Sequence, residues 1–417
     1  MQKYKLLSPF LISIITGALV WILVYLITPV SPVYSFNNKT ALFILLSYAS
    51  LLIGYYITPS FTINLKKDSK SHSIAWILVL VVLFGFTIRF IDLFVLRNLA
   101  FSNSIYENRD LALNTTHQLF FLIGSLPKYL FFAPLIFTFY AKSNNRILIA
   151  ISSLLFFLPL VEAVLRGSRS PFLISFSLFI IVLLFFNKLK FNKKTFFAFT
   201  ATLLILFIIS SSLLAKREKE KTNKNLYKSL LKEAKYNDFI APKESIYQWF
   251  DQSENELLKK EVVNLLHVGQ YYTHAVFEFN YLIQQDIPQK QYGKYTFSLI
   301  PKLLNHIGIT NYDLNKISES NPRQHTFIGF LGGLYLDFGW YTFIVLFIFG
   351  AVQKTTYQSI KERNIFFTPL FIYFLFTNFF ILTFNFYAGN GTSILIVCVI
   401  FALFNFIYSR YATSTNS

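Results

Sequence analysis

The sequence predicts an all-α polytopic integral membrane protein with about ten transmembrane helices and one large loop containing amphipathic helices. Three observations carry that prediction. The 417 residues are 54% hydrophobic and only 14% charged, where soluble domains carry roughly 25% charged residues. The apolar residues gather in runs long enough for a bilayer, which needs about 20 per helix. One stretch, 216–324, separates those runs and is too long for a structureless connector.

In order, the runs are Leu6 to Thr28, Ala41 to Thr58, Ile74 to Leu96, Leu119 to Ala141, Ile147 to Leu165, Pro171 to Asn187, Thr195 to Ala215, Thr326 to Val352, Phe366 to Phe386 and Thr392 to Tyr408. The first is too long for a signal-peptide core and has no small-residue cleavage site after it, so it reads as a retained span. The chain therefore divides into a bundle of about seven spans at 1–215, the loop at 216–324, and a bundle of about three at 325–417. With the N-terminus inside, the inner segments hold Lys66, Lys67, Lys70, Lys142, Arg146, Lys188, Lys190, Lys193 and Lys194 among others, and the short outer loops only Lys39, Arg97, Arg109, Arg166 and Arg169. Positive charge collects on the cytoplasmic side. Both termini are thus expected in the cytoplasm and the large loop outside.

Composition also narrows function. The formal charge of +18 is spread over short loops and the long one, which suits membrane orientation and anionic lipid or phosphate, not nucleic acid. Cys398 is the one cysteine, so neither a disulfide framework nor a Cys-ligated metal can form within the chain. Walker, dinucleotide and serine-hydrolase patterns are absent from the sequence.

The loop opens on a charge run, KREKEKTNKN from Lys216, that reads as a solvated extension of the seventh span. Trp249 and Phe250 follow. From Leu257 to Gln285, Leu258, Val262, Leu265, Leu266, Tyr272, Val276 and Phe279 recur at helical spacing, which predicts an amphipathic helix on the membrane or over a cavity. Residues 287–325 read as an irregular cover on the outer face.

Two basic motifs stand out. The stretch VEAVLRGSRSP, Val161 to Pro171, puts Arg166 and Arg169 around Gly167 and Ser168 between two apolar runs. Cations beside hydrocarbon cost a few kcal/mol and mark functional sites; the competing reading is arginines snorkelling to head groups. Glu162 stands one turn before Arg166 and is expected to pair with it. The second motif, NPRQHTFIGFLGGLYLDFGW from Asn321 to Trp340, carries Arg323, His325 and Asp337, with Gly329, Gly332, Gly333 and Gly339 expected in one helix. Those glycines suit close helix packing, or admission of a lipid tail or sugar. Asp337 is expected to face the interior, as a structural hydrogen-bond partner or a base. Arg89 and Asp92 are neighbours at i,i+3 and read as an ion pair; His274 and Glu278, at i,i+4, have a zinc-like spacing without further ligands nearby, so no metal site is expected.

Arginines at an outer boundary suit glycosyl transfer from a polyprenyl diphosphate donor. Guanidinium groups neutralise the departing diphosphate through bidentate hydrogen bonds. His325, Asp337 or a loop carboxylate would deprotonate the attacking hydroxyl. Trp249, Tyr271, Tyr272, Tyr292 and Tyr295 either stack on sugars or anchor the loop.

The run ending in R-G-S-R, the long outer loop after the seventh span, and G-x-L-G-G-L-Y-x-D-F-G-W in the next helix together resemble the O-antigen and capsule repeat-unit polymerases called Wzy. The spacing of Arg323 to Gly339 is similar to an arginine motif of one branch of that family. The resemblance implies a bacterial inner-membrane glycosyltransferase of the GT-C class, acting on the periplasmic side without metal or other cofactor. It transfers glycan from undecaprenyl diphosphate to the non-reducing end of an incoming lipid-linked repeat unit. It further implies Arg166, Arg169 and Arg323 as diphosphate contacts, supported by Glu162, Gly167, Ser168 and Gly339, with His325 and Asp337 as base candidates. The implied partners are the lipid-linked donor and acceptor, membrane lipids, and a chain-length regulator and flippase of the same pathway. The alternatives are an O-antigen ligase, which His325 beside a span favours, and a repeat-unit flippase or transporter, for which charges near the bilayer midplane and broken helices are expected.

Overall fold

The computed structural model describes residues 8–59, 71–113, 123–189, 227, 231–285, 289–323 and 327–414, with 404–414 as helix backbone. The chain is mostly helical. In order come α1 (Pro9–Ile27), β1 (Val30–Pro32), α2 (Asn38–Ile57), α3 (Ser71–Phe90), α4 (Ile105–Leu113), α5 (Ala133–Tyr140), α6 (Arg146–Leu154), α7 (Leu158–Leu165), α8 (Ser170–Phe185), β2 (Ile240–Pro242), α9 (Glu244–Gln252), α10 (Glu256–Leu282), α11 (Leu299–His306), α12 (Leu314–Glu319), α13 (Phe330–Phe338), α14 (Thr342–Lys361), α15 (Thr368–Phe379) and α16 (Asn390–Ser414).

Among the described residues, five helical stretches are long and apolar enough to cross a membrane: Pro9–Ile27, Asn38–Ile57, Ser71–Leu96, Arg146–Leu165 and Phe330–Lys361. A sixth arises if the bent pair Ile123–Leu130 and Ala133–Tyr140 counts as one. Each overlaps an expected run. Ser170–Phe185, Ile365–Phe379 and Asn390–Leu403 are apolar but shorter. The expected span Thr195 to Ala215 and the charge run from Lys216 lie outside the described residues. Helix starts follow ordinary capping: Ser8 accepts from Leu11 N–H ahead of Pro9, and Asn145 from Ile147 and Leu148 N–H. Leu19, Leu23, Leu26 and Ile27 stand exposed along α1, as lipid-facing side chains do.

The chain forms two compact units. The first comprises Met1–Phe61, Tyr227–Gln358 and Phe374–Thr392. Within it α2 and α14 meet where a Cβ on Gly54 would strike the Phe347 backbone and one on Gly350 the backbone of Leu51 and Tyr55, so close helix packing falls there. The long segment is fastened to the α1–α2 connection by an antiparallel pair in which Val30 faces Pro242 and Pro32 faces Ile240. Nothing in the local sequence patterns announces that pairing. Around it Val30, Leu231, Phe239, Ile240, Phe250, Val263, Leu266 and Phe277 form an apolar core, with Trp21, Tyr25 and Trp249 against it. Helix α10, capped by Asn255 on Leu258 N–H, matches the predicted amphipathic helix. Leu258 and Leu265 of its expected apolar face are exposed, while Leu266, Val276 and Phe279 are buried.

The glycine-rich motif departs from expectation. Gly332 and Gly333 lie in α13, but Gly329 caps that helix from extended backbone and Gly339 ends it at φ +57. Only glycine adopts that backbone readily.

The second unit comprises Thr62–Leu226, Ser359–Tyr373 and Ser393–Ser417. Here α3 packs on α5 and the 3-10 turn Leu126–Leu130. The expected straight span Leu119 to Ala141 is instead bent by 44° between Leu130 and Ala133, with Pro127 and Pro134 beside the break; each proline removes a helical donor. Gly85 of α3 permits the approach, since a Cβ there would press on Lys128 N and Pro127.

Candidate functional site

In the second unit, charged side chains collect around the predicted arginine turn. Helix α3 continues as a π-helix, Ile91–Leu96, in which Arg97 N–H donates to the Asp92 carbonyl at 3.0 Å. In a regular α-helix, positions five apart point about 140° away from each other; the wider turn closes that gap. Asp92, buried, therefore binds Arg89 Nη1 at 2.5 Å through one oxygen and Arg97 Nε at 2.9 Å through the other. The expected pair Arg89 and Asp92 is present and extended by Arg97.

Arg89 also reaches across to α7, where its Nη2 lies 2.5 Å from Glu162 Oε1. Lys128, buried at the bent pair, donates from Nζ to Glu162 Oε2 at 2.7 Å. The expected partner Arg166 is third in line, 3.5 Å from Oε1. The expected pairing of Glu162 with Arg166 is present, but two deeper cations share the carboxylate at shorter range and Arg166 is 35% exposed. Among the described residues of this cluster, four cations share two buried carboxylates.

The R-G-S-R turn is held by backbone. Ser168 N–H donates to Ala163 O at 2.9 Å, closing α7, and Arg169 caps α8 ahead of Pro171. Gly167 sits at φ +56 with Ile105 where a Cβ would go. Helix α4 clamps the turn from outside: Asn108 donates to Leu165 O at 3.1 Å and Arg109 to Arg166 O at 2.9 Å, while Arg97 anchors α4 through Ala112 O at 2.5 Å. Sequence reasoning missed Lys128, Arg97 and Arg109 as members. A lysine between two prolines inside an apolar run was the available signal for Lys128.

The first unit holds the other motif. Arg323 Nη2 donates to Asp238 Oδ2 at 2.9 Å and Lys235 O at 3.1 Å; its guanidinium lies 4.2 Å from the Phe239 ring centre, and Nη1 is 3.5 Å from Glu278 Oε1. Asp238 is 64% exposed, whereas Glu278 is 2% exposed. Burial pushes the Glu278 carboxyl up to about 7, opposed by Arg323 and reinforced by Asp238. One turn earlier, His274 is enclosed by Tyr236, Tyr271 and Phe327, with Nδ1 at the Gln270 and Tyr271 carbonyls. Burial lowers it to about 4, so the ring is neutral at pH 7. The zinc-like pair is therefore an aromatic-packed histidine and an arginine-facing glutamate.

Asp337 is fully buried and accepts the Tyr295 and Thr296 backbone N–H groups at 3.0 and 2.8 Å. It fastens the 291–296 turn to α13. Gly339 follows it with Lys290 where a Cβ would go. His325 lies outside the described residues. Of the loop aromatics, Tyr292 is 74% exposed, whereas Trp249 joins the apolar core, Tyr271 and Tyr272 pack on Phe384, and the buried Tyr295 hydroxyl bonds Asn321.

Among the described residues, no three His, Cys, Asp or Glu side chains come together in a metal-holding arrangement. Comparison of the chain with protein-family models, curated proteins and solved structures returns no match.

Proposed function

We propose that the chain is a bacterial inner-membrane glycosyltransferase that polymerises lipid-linked oligosaccharide repeat units on the periplasmic face, with about ten spans and cytoplasmic termini. The observation that carries this reading is the cationic cluster at the R-G-S-R turn: Arg89, Arg97, Lys128 and Arg166 around two carboxylates. Surplus positive charge beside apolar helices is costly and therefore kept for an anion. A polyprenyl diphosphate supplies both the anion and the hydrocarbon. Glu162 holds the deep cations, Gly167 and Ser168 shape the turn, and Arg166 and Arg169 meet the diphosphate with planar forks that lysine lacks. Arg323 is assigned the same chemistry within its own unit, where a phosphate would take the place of the exposed Asp238.

One observation favours a second reading. Lys128 lies buried at a broken helix, a combination typical of transporters. Surface-glycan length on a deletion strain, complemented with wild type, Arg169→Lys or Arg323→Lys, separates these readings. A core bearing single repeat units without the vector, and in both variants, supports the polymerase. Absence of exported units points to a flippase, and polymer stranded on its carrier to a ligase. A normal ladder in both variants overturns the diphosphate clamp.

A further inference from the structure

The Arg323 constellation contains a carboxylate that fold stability does not explain. Glu278 lies on the buried face of α10, and among the described residues its Oε1 accepts no hydrogen bond; the nearest cation, Arg323 Nη1, stands off at 3.5 Å. The desolvation of a buried carboxylate can exceed what so loose an ion pair returns, so the pair is weak evidence of a stabilising role. Such a group is kept for chemistry. Among the described residues, the groups around it are Arg323 and, beyond it, Asp238; His274 one turn back on its own helix; and the Tyr295 phenol, which hydrogen-bonds Asn321.

The guanidinium of Arg323 stands beside Oε1. Its Nη1 contact is long, and its short contact is to Asp238, which stands largely in solvent. Asp238 is thus the exposed partner that a charged substrate would replace. Asp337, by contrast, has each carboxylate oxygen engaged by a backbone donor.

Resting on the polymerase reading above, we propose that Glu278 is the catalytic base: its carboxylate takes the proton of the acceptor sugar hydroxyl. As the O–H bond breaks, the oxygen's electron pair forms the new bond to the donor's anomeric carbon. The bond from that carbon to the diphosphate breaks, and its electron pair leaves with the polyprenyl diphosphate. No oxidant, reductant or metal is required by this balance. A carboxyl that titrates near 7 is suited to such a transfer at neutral pH.

The test uses purified full-length protein in lipid nanodiscs, with a polyprenyl-diphosphate-linked repeat unit as donor and acceptor. Wild-type kcat/KM should rise with pH along an acid limb near 7. Glu278→Gln should lose that limb and about a hundredfold or more in kcat, with KM and melting temperature held or raised. Should Glu278→Gln fail to insert, Glu278→Asp decides: kcat about tenfold lower at constant KM supports the assignment, and unchanged kcat overturns it. A wild type that polymerises alongside a Glu278→Gln variant of equal rate and unchanged limb overturns the base alone. A wild type inactive on this substrate overturns the polymerase reading, and the base with it.

Discussion

The two polar constellations are built on opposite charge ratios. In the unit around α3 and α7, Arg89, Arg97, Lys128 and Arg166 share Asp92 and Glu162. In the unit around α10, Arg323 is shared by Asp238 and Glu278. A surplus of guanidinium and ammonium groups is suited to an anion, and a surplus of carboxylate beside one arginine to a proton. Sites that look alike in a sequence, as arginines near span boundaries, are thus suited to different chemistry by the acids they meet.

Several substitutions break or sharpen that contrast. The largest effect is expected from Glu162→Gln, which strips the shared carboxylate from Arg89 and Lys128 and leaves buried cations uncompensated, costing roughly 3–5 kcal/mol. The detergent-solubilised variant should melt far below wild type; an unchanged melting temperature would show the cations to be solvated instead. Asp337→Asn comes next. It weakens two charge-assisted bonds worth about 1.5–3 kcal/mol each, so proteolysis near residues 291–296 should speed up. If Asp337→Asn is instead fully folded with kcat abolished, the carboxylate is chemical and Glu278 loses its claim.

The pH responses of the α10 pair run in opposite directions. His274 is held below its ordinary 6.5, at about 4. Its contribution to folding is full above 6.5 and lost as pH falls through the range down to 4. Glu278 is held above its ordinary 4.5, at about 7, so its contribution is full below 4.5 and lost as pH rises towards 7 and beyond. His274→Gln should flatten the acid side of a melting-temperature profile and Glu278→Gln the neutral side. The smallest effect is expected from Gly339→Ala, about 1–3 kcal/mol from the φ +57 backbone and Lys290. It should leave the other unit's cation cluster untouched, readable as an unchanged response to Glu162→Gln in the double variant.

Much of the helical layout was legible because bilayer-length apolar runs need no tertiary information: α1, α2, the α3 stretch and the α6–α7 stretch all overlap expected runs. The amphipathic α10 was legible for a similar reason, since its period is local. What was not legible depends on separation along the chain. Glu162 faces its own neighbour Arg166 in a helical wheel, yet Arg89 and Lys128 from other elements take its oxygens first. Glu278 carried only a zinc-like spacing to His274 in the sequence, and its partner Arg323 is distant along the chain. The break before α5 was foreshadowed by Pro127 and Pro134, which hydropathy counts as unremarkable.

The strand pairing of Val30 with Pro242 has a consequence for biogenesis. The partners lie roughly 210 residues apart, and at about 5–20 residues per second the ribosome needs on the order of tens of seconds to deliver the second. Until then the apolar surface of the first strand and of Trp21 and Tyr25 in α1 has no later segment to cover it. A truncation before residue 240 should leave that surface open and speed proteolysis of the chain.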